Sequence, residues 1–131
     1  MKLVCRVLTL GLVLSFAAPS LAIGQAAQSA TEFYQAYRKA FAKAQKIEDI
    51  LPMMAAGQRA QMEKTPADER KMMFGMLKEM TAAQGDVKVL KETATKTGAE
   101  LTLQAKDATG TAAIVKEGGV WKLDKESWTN K

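Results

Sequence analysis

The sequence predicts an α+β domain in which helices come first and a curved four-stranded antiparallel meander follows, the helices packing on the sheet. Three observations carry this expectation. Up to Gly85 the apolar residues recur at spacings of three and four, the period of an amphipathic helix. Beyond Gly85 they alternate every second residue, the period of a sheet with one buried face. The alternating runs are separated by turns too short for a crossover, so successive strands must be antiparallel neighbours.

The helices are taken in order. Ser29-Ala30-Thr31-Glu32 fits a capping box, in which the Ser29 hydroxyl accepts from a first-turn N–H and Glu32 reaches back to the cap, for about 1 kcal/mol. Phe33, Tyr37, Ala40, Phe41 and Ala44 then form one stripe, with Arg38, Lys39, Lys43 and Lys46 mostly off it. That basic run reads as a solvated face, blunted by Glu48 and Asp49 just behind it. Ile47 to Leu51 continues or restarts the helix, Pro52 breaks it, and Met53 to Glu63 is a short second helix. A third begins with Thr65 as N-cap, Pro66 at the first helical position, and Asp68 and Glu69 near the positive end of its dipole. Met72, Met73, Met76, Leu77 and Met80 read as its core-facing side and Gly85 as its stop. Gly75, in its middle, costs about 1 kcal/mol relative to alanine.

After Gly85 come four strands. Val87 to Thr95 is the first, with Lys96-Thr97-Gly98-Ala99 as a turn. Leu101, Leu103 and Ala105 alternate with polar residues in the second, and Asp107-Ala108-Thr109-Gly110 turns the chain again. Thr111 to Lys116 makes the third strand, Glu117-Gly118-Gly119 a tight hairpin, and Val120 to Trp128 the fourth, with Trp121 and Leu123 facing one way and Lys122 and Asp124 the other.

The chain of 131 residues opens with Lys2 and Arg6, an apolar run from Val7 to Ala18, and Pro19-Ser20-Leu21-Ala22. That is the pattern of a signal peptide cut after Ala22, and it predicts export, to a bacterial periplasm or beyond. Residues 23–28 then read as a flexible lead and 29–131 as a single domain. The only cysteine, Cys5, leaves with the signal, so the remaining domain has no disulfide to staple it. Net charge falls from +5 to +3, because Lys2 and Arg6 leave and no acid does. So mild a charge on an exported chain argues against nucleic acid as a partner, and the signal peptide is the only segment read as meeting a membrane. The sequence holds no histidine, the commonest general base and metal ligand.

The run Ile114-Val115-Lys116-Glu117-Gly118-Gly119-Val120-Trp121-Lys122-Leu123-Asp124 resembles a recurring ending of small exported domains in the nuclear transport factor 2-like superfamily, a cystatin-like α+β arrangement. The likeness extends upstream to the aromatic first helix at Phe33, Tyr34 and Tyr37, the Asp49-Ile50-Leu51-Pro52 break, and the short helix with Arg59. It implies a strongly curved sheet wrapped partly around the first helix, leaving a cone-shaped pocket. Enzymes of the superfamily place an Asp/His or Tyr/Asp set there. This chain has no histidine, and Asp86, Asp107 and Asp124 have no second acid at a pairing distance, so the resemblance implies a non-catalytic member with no cofactor.

Candidate site residues follow from this. Tyr34 and Tyr37 are the best polar handles for a ligand pocket, and Trp121 is a core anchor with pocket lining as its second reading. Met72, Met76 and Met80, at i, i+4 and i+8, suit a buried stripe; their thioethers are also soft ligands that would suit Cu(I). The expected function is an exported, non-catalytic domain binding a small ligand or a protein partner. The alternatives are a methionine-based copper-binding protein of the cell envelope and an enzyme using Asp and Tyr, which needs a buried carboxylate beside Tyr34 or Tyr37. The polar alternating sheet face predicts a monomer or at most a weak homodimer.

Overall fold

The structure is a computed structural model that describes residues 28–131. The expected signal peptide, its cleavage site at Ala22 and lead residues 23–27 lie outside the described residues. Among the described residues, three helices precede a four-stranded antiparallel meander of order β1-β2-β3-β4, which is not closed into a barrel.

Helix α1 spans Ala30–Lys43. Ser29 Oγ accepts from Glu32 N at 3.1 Å, so the first half of the expected capping box forms and the second, from Glu32, does not. Another acid reinforces this end: Glu92, in the sheet, accepts from Thr31 N at 2.7 Å and Thr31 Oγ1 at 2.8 Å, placing negative charge at the positive end of the helix. Ala30, Phe33, Tyr34, Tyr37 and Phe41 are buried on the sheet. At the other end Lys78 Nζ donates to the carbonyls of Phe41, Ala42 and Ala44, at 3.3, 2.8 and 3.0 Å. A cation thus covers the negative end.

The next segment departs from expectation. The helical pattern restarts only as two single 3-10 turns, Ile47–Asp49 and Leu51–Met53, the second containing Pro52 rather than being broken by it, with Ile47 and Ile50 buried. Helix α2 runs Ala56–Lys64, three residues later than its expected start. The reason is that Met54 bridges Leu123 and Ala55 N donates to Leu123 O at 2.8 Å, so this backbone is taken up by sheet-like pairing. Ala55 has no side chain with which to cap α2, and the Glu117 carboxylate does it instead, accepting from Ala56 N at 2.9 and 3.2 Å. Glu117→Ala is therefore expected to lower stability by about 1 kcal/mol, read as a shifted urea midpoint with unchanged slope.

Helix α3 spans Ala67–Gln84. Thr65 closes α2, its hydroxyl donating to Gln61 O at 2.9 Å, and Pro66 occupies the cap position of α3. Gly85, with φ 64°, ends the helix as expected. The methionine face is a larger correction. Phe74 is the one buried residue of α3, whereas Met72, Met76 and Met80 are 66, 59 and 52 % exposed. Phe74 packs on Phe41 with ring centroids 5.6 Å apart, which turns Arg70, Phe74, Lys78, Thr81 and Gln84 inward at helical spacing. Of the expected apolar face only Leu77 packs against the core, while Met72, Met73, Met76 and Met80 are exposed.

The strands are β1 Lys88–Ala94, β2 Gly98–Gln104, β3 Ala108–Glu117 and β4 Val120–Asn130. Leu101, Leu103, Ala112 and Ile114 are fully buried under α1. Ala108, Thr109 and Gly110 belong to β3 rather than to a turn; the chain reverses two residues earlier, where Ala105 N donates to Ala108 O at 2.9 Å. Gly98 likewise opens β2 after a turn closed by Thr95 N to Gly98 O at 3.0 Å. The β3–β4 turn carries Gly118 and Gly119 at φ 59° and 80°, the left-handed pair that a two-residue hairpin requires. Two bulges interrupt the ladders, leaving Leu90 and Asp124 without cross-strand partners.

Candidate functional site

The bulge at Asp124 decides what faces the helices. Before it, Trp121 and Leu123 point inward; one extra residue shifts the alternation, so beyond it the inward residues are Glu126 and Trp128. Neither is apparent from strict alternation along β4. Trp128 lies opposite Gly110, whose missing side chain lets the indole settle on the backbone of β3. From there the Trp128 indole N–H donates to Glu126 Oε1 at 2.6 Å, while the Tyr34 hydroxyl donates to Glu126 Oε2 at 3.0 Å. One carboxylate therefore ties α1 to β4 through one oxygen and holds the Trp128 indole of its own strand through the other.

Tyr34 and Tyr37 are both buried, and with Phe41 and Phe74 they form a continuous aromatic row. Burial pushes both phenols well above their ordinary value of 10.0; the Glu126 charge adds to the shift and the Arg38 charge opposes it. At neutral pH each phenol is a hydrogen-bond donor and not a base. Trp121 is placed as a core anchor: it is buried, its N–H donates to Gln28 O at 2.7 Å, and Lys116 Nζ sits 4.6 Å over the ring. That bond fastens the last residue of the lead. Trp121 lines neither of the clefts described next.

Two clefts follow the seam between α1 and α3. The larger, about 630 Å³, opens where α3 passes into β1, over Tyr34, Phe41, Ala82 and Val87. The smaller, about 390 Å³, lies against β4 and is walled by Tyr37, Met54, Met62, Leu77, Met80 and Trp128, with Glu126 at its side. Arg38, Phe41 and Thr81 line both and form the partition between them. Both volumes fall in the range of small-molecule sites.

Arg38 is thus not part of a solvated face. It is half-buried, and its two terminal nitrogens donate to Gln84 Oε1 at 2.8 Å and Gly85 O at 3.2 Å. It stands four residues after Tyr34 and three before Phe41, beside the buried stripe, where α3 closes over it. Lys39, Lys43 and Lys46 remain exposed. Among the described residues no helix is long and apolar enough to cross a membrane, and no group of acids, histidines or cysteines could hold a metal ion.

No family model matches this chain, and no curated protein or solved structure matches it either.

Proposed function

We propose that this is an exported, non-catalytic domain of the nuclear transport factor 2-like kind that binds a small ligand in the larger cleft. The observation that carries the reading is an open, largely apolar-walled space of about 630 Å³ directly beside the aromatic row of the core. Export rests on the leader pattern ending at Ala22, and the family on the hairpin around Gly118 and Trp121. Absence of catalysis rests on how the one Tyr–carboxylate pair is used. Tyr34 keeps its proton at neutral pH and donates a hydrogen bond to Glu126, which also accepts from Trp128, so the pair serves as a link between α1 and β4.

An apolar fluorescent reporter, anilinonaphthalene sulfonate, is expected to bind one-to-one to the folded protein. Ala82→Trp, which fills the larger cleft from an exposed position on α3, should abolish that binding without loss of stability. Saturable binding untouched by Ala82→Trp would place the ligand elsewhere. The solvent face of the sheet carries Glu100, Thr102, Thr111 and Lys125, all exposed, and the protein is expected to sediment as a monomer.

One observation favours a second reading. Met72, Met76 and Met80 face solvent, so core packing does not account for their spacing, and three thioethers on one exposed helical line suit a soft ion such as Cu(I). Anaerobic titration with Cu(I) tests it. Tight binding lost in Met76→Leu supports the reading, and no tight binding, or binding that survives Met76→Leu, ends it.

A further inference from the structure

We propose that the larger cleft takes a small amphipathic carboxylate, whose headgroup is bound by the Arg38 guanidinium and whose apolar body lies along Tyr34, Phe41, Ala82 and Val87. This rests on the binding reading above and adds the chemical class of the ligand.

The charge around the cleft is one-sided. Arg38, Lys39 and Lys78 line it, against a single acid, Asp86. The smaller cleft is balanced instead, with Arg38 and Lys125 facing Asp124 and Glu126. Among the described residues Glu126 makes no ion pair with Arg38; its two oxygens accept from Tyr34 and Trp128.

The three arginines of the described residues differ in a telling way. Arg59 and Arg70 each have a carboxylate, from Glu117 at 3.8 Å and Glu48 at 3.3 Å. Arg38, also half-buried, has only two neutral oxygens. A guanidinium has five N–H donors, so Arg38 keeps donors free while Gln84 and Gly85 hold its orientation. Partly desolvated positive charge without a counter-ion is costly, and an anion arriving in the cleft relieves that cost.

The same groups set the class of the headgroup. The planar fork of arginine presents two parallel N–H bonds, the match for the two oxygens of a carboxylate. Lys78 adds field but no free donor, since its three N–H bonds go to the carbonyls closing α1. A phosphate dianion would bring a second negative charge, which Asp86 in the lining opposes. An apolar body fits because Tyr34, Phe41, Ala42, Ala82 and Val87 supply aromatic and aliphatic wall beside the polar Gln35 and Thr81.

Calorimetric titration of the folded protein with decanoate, decanol and decyl phosphate, each as monomer, tests the proposal. Decanoate should bind one-to-one and at least about tenfold more tightly than decanol. Arg38→Gln should bring decanoate down to the level of decanol and leave decanol unchanged. Equal affinity of decanoate and decanol in the unsubstituted protein would overturn the headgroup assignment while leaving the binding reading intact. Binding of none of the three would overturn the binding reading itself, and a preference for decyl phosphate would overturn the carboxylate class. Should Arg38→Gln fail to fold, salt decides: decanoate affinity should fall several-fold between about 20 and about 200 mM salt, with decanol unaffected. A salt-independent decanoate affinity would overturn the assignment.

Discussion

Raising the pH is expected to produce no tyrosinate while the fold persists, and then a steep cooperative unfolding that starts a little above pH 10. The chain has two tyrosines, Tyr34 and Tyr37, so its whole tyrosinate absorbance reports on the aromatic row of α1. Both phenols are raised above 10.0 in the folded state, by burial first and by the Glu126 charge second. The sign follows from comparing the two states. Below pH 10 folded and unfolded chains both keep these protons, and the tyrosines add no pH dependence. Above it the unfolded chain sheds protons that the folded chain retains, so stability falls by about 1.4 kcal/mol per pH unit for each phenol. Two phenols give twice that slope, which would consume the stability of an ordinary domain within a few pH units. Tyr37→Phe should halve the slope. Tyrosinate rising near pH 10 with the far-ultraviolet dichroism of the sheet intact would show that the phenols are not buried.

Much of the fold was legible because local chemistry and burial agree along most of the chain. Ser29 sits where a cap is needed, Gly85 where a helix must stop, and Leu101 and Leu103 alternate with polar neighbours as a half-buried strand does. Legibility fails where a partner distant in sequence decides the outcome. Met54 and Ala55 have a helical pattern but are drawn into pairing with Leu123. The methionines of α3 have the spacing of a core stripe, yet the helix is oriented by Phe74 on Phe41 and by polar anchors such as Lys78 and Arg70. Period alone identifies a face without saying which side the core lies on.

The site was less legible than the fold for a related reason. Tyr34 and Tyr37 were visible as candidates, and one of them does meet a carboxylate, but that carboxylate is Glu126, which strict alternation along β4 turns away from the helices. Only the bulge at Asp124 brings it inward. Arg38 looked like one charge among four on a basic helix face, and its role emerges only once α3 ends against it at Gln84 and Gly85.

Gly110→Val is expected to destabilise the protein by about 3 kcal/mol, against the direction of strand propensity. Valine is among the best strand formers and glycine among the worst, so propensity alone predicts a gain approaching 1 kcal/mol at a β3 position. The cross-strand geometry reverses this. A Cβ on Gly110 would stand 2.7 Å from Trp128 Cε3 and 2.7 Å from Ser127 O. Moving the indole relieves the first contact but not the second, which is backbone of the paired strand, so β4 must give way as well. Trp128 would then lose its bond to Glu126 Oε1, a hydrogen bond to a charged group, and Glu126 would be left to Tyr34 alone. The smaller cleft should open, because Trp128 is part of its wall, while the larger cleft on the far side of Arg38 stays formed. Denaturant midpoints measure the loss, and the indole N–H resonance of Trp128 should move upfield as its carboxylate partner is withdrawn. Combining the change with Trp128→Ala should cost less than the two single changes added together, since without the indole the new side chain meets only the backbone. A gain of stability in Gly110→Val would mean that the indole does not lie on β3, and the link from Trp128 through Glu126 to Tyr34 would fall with it.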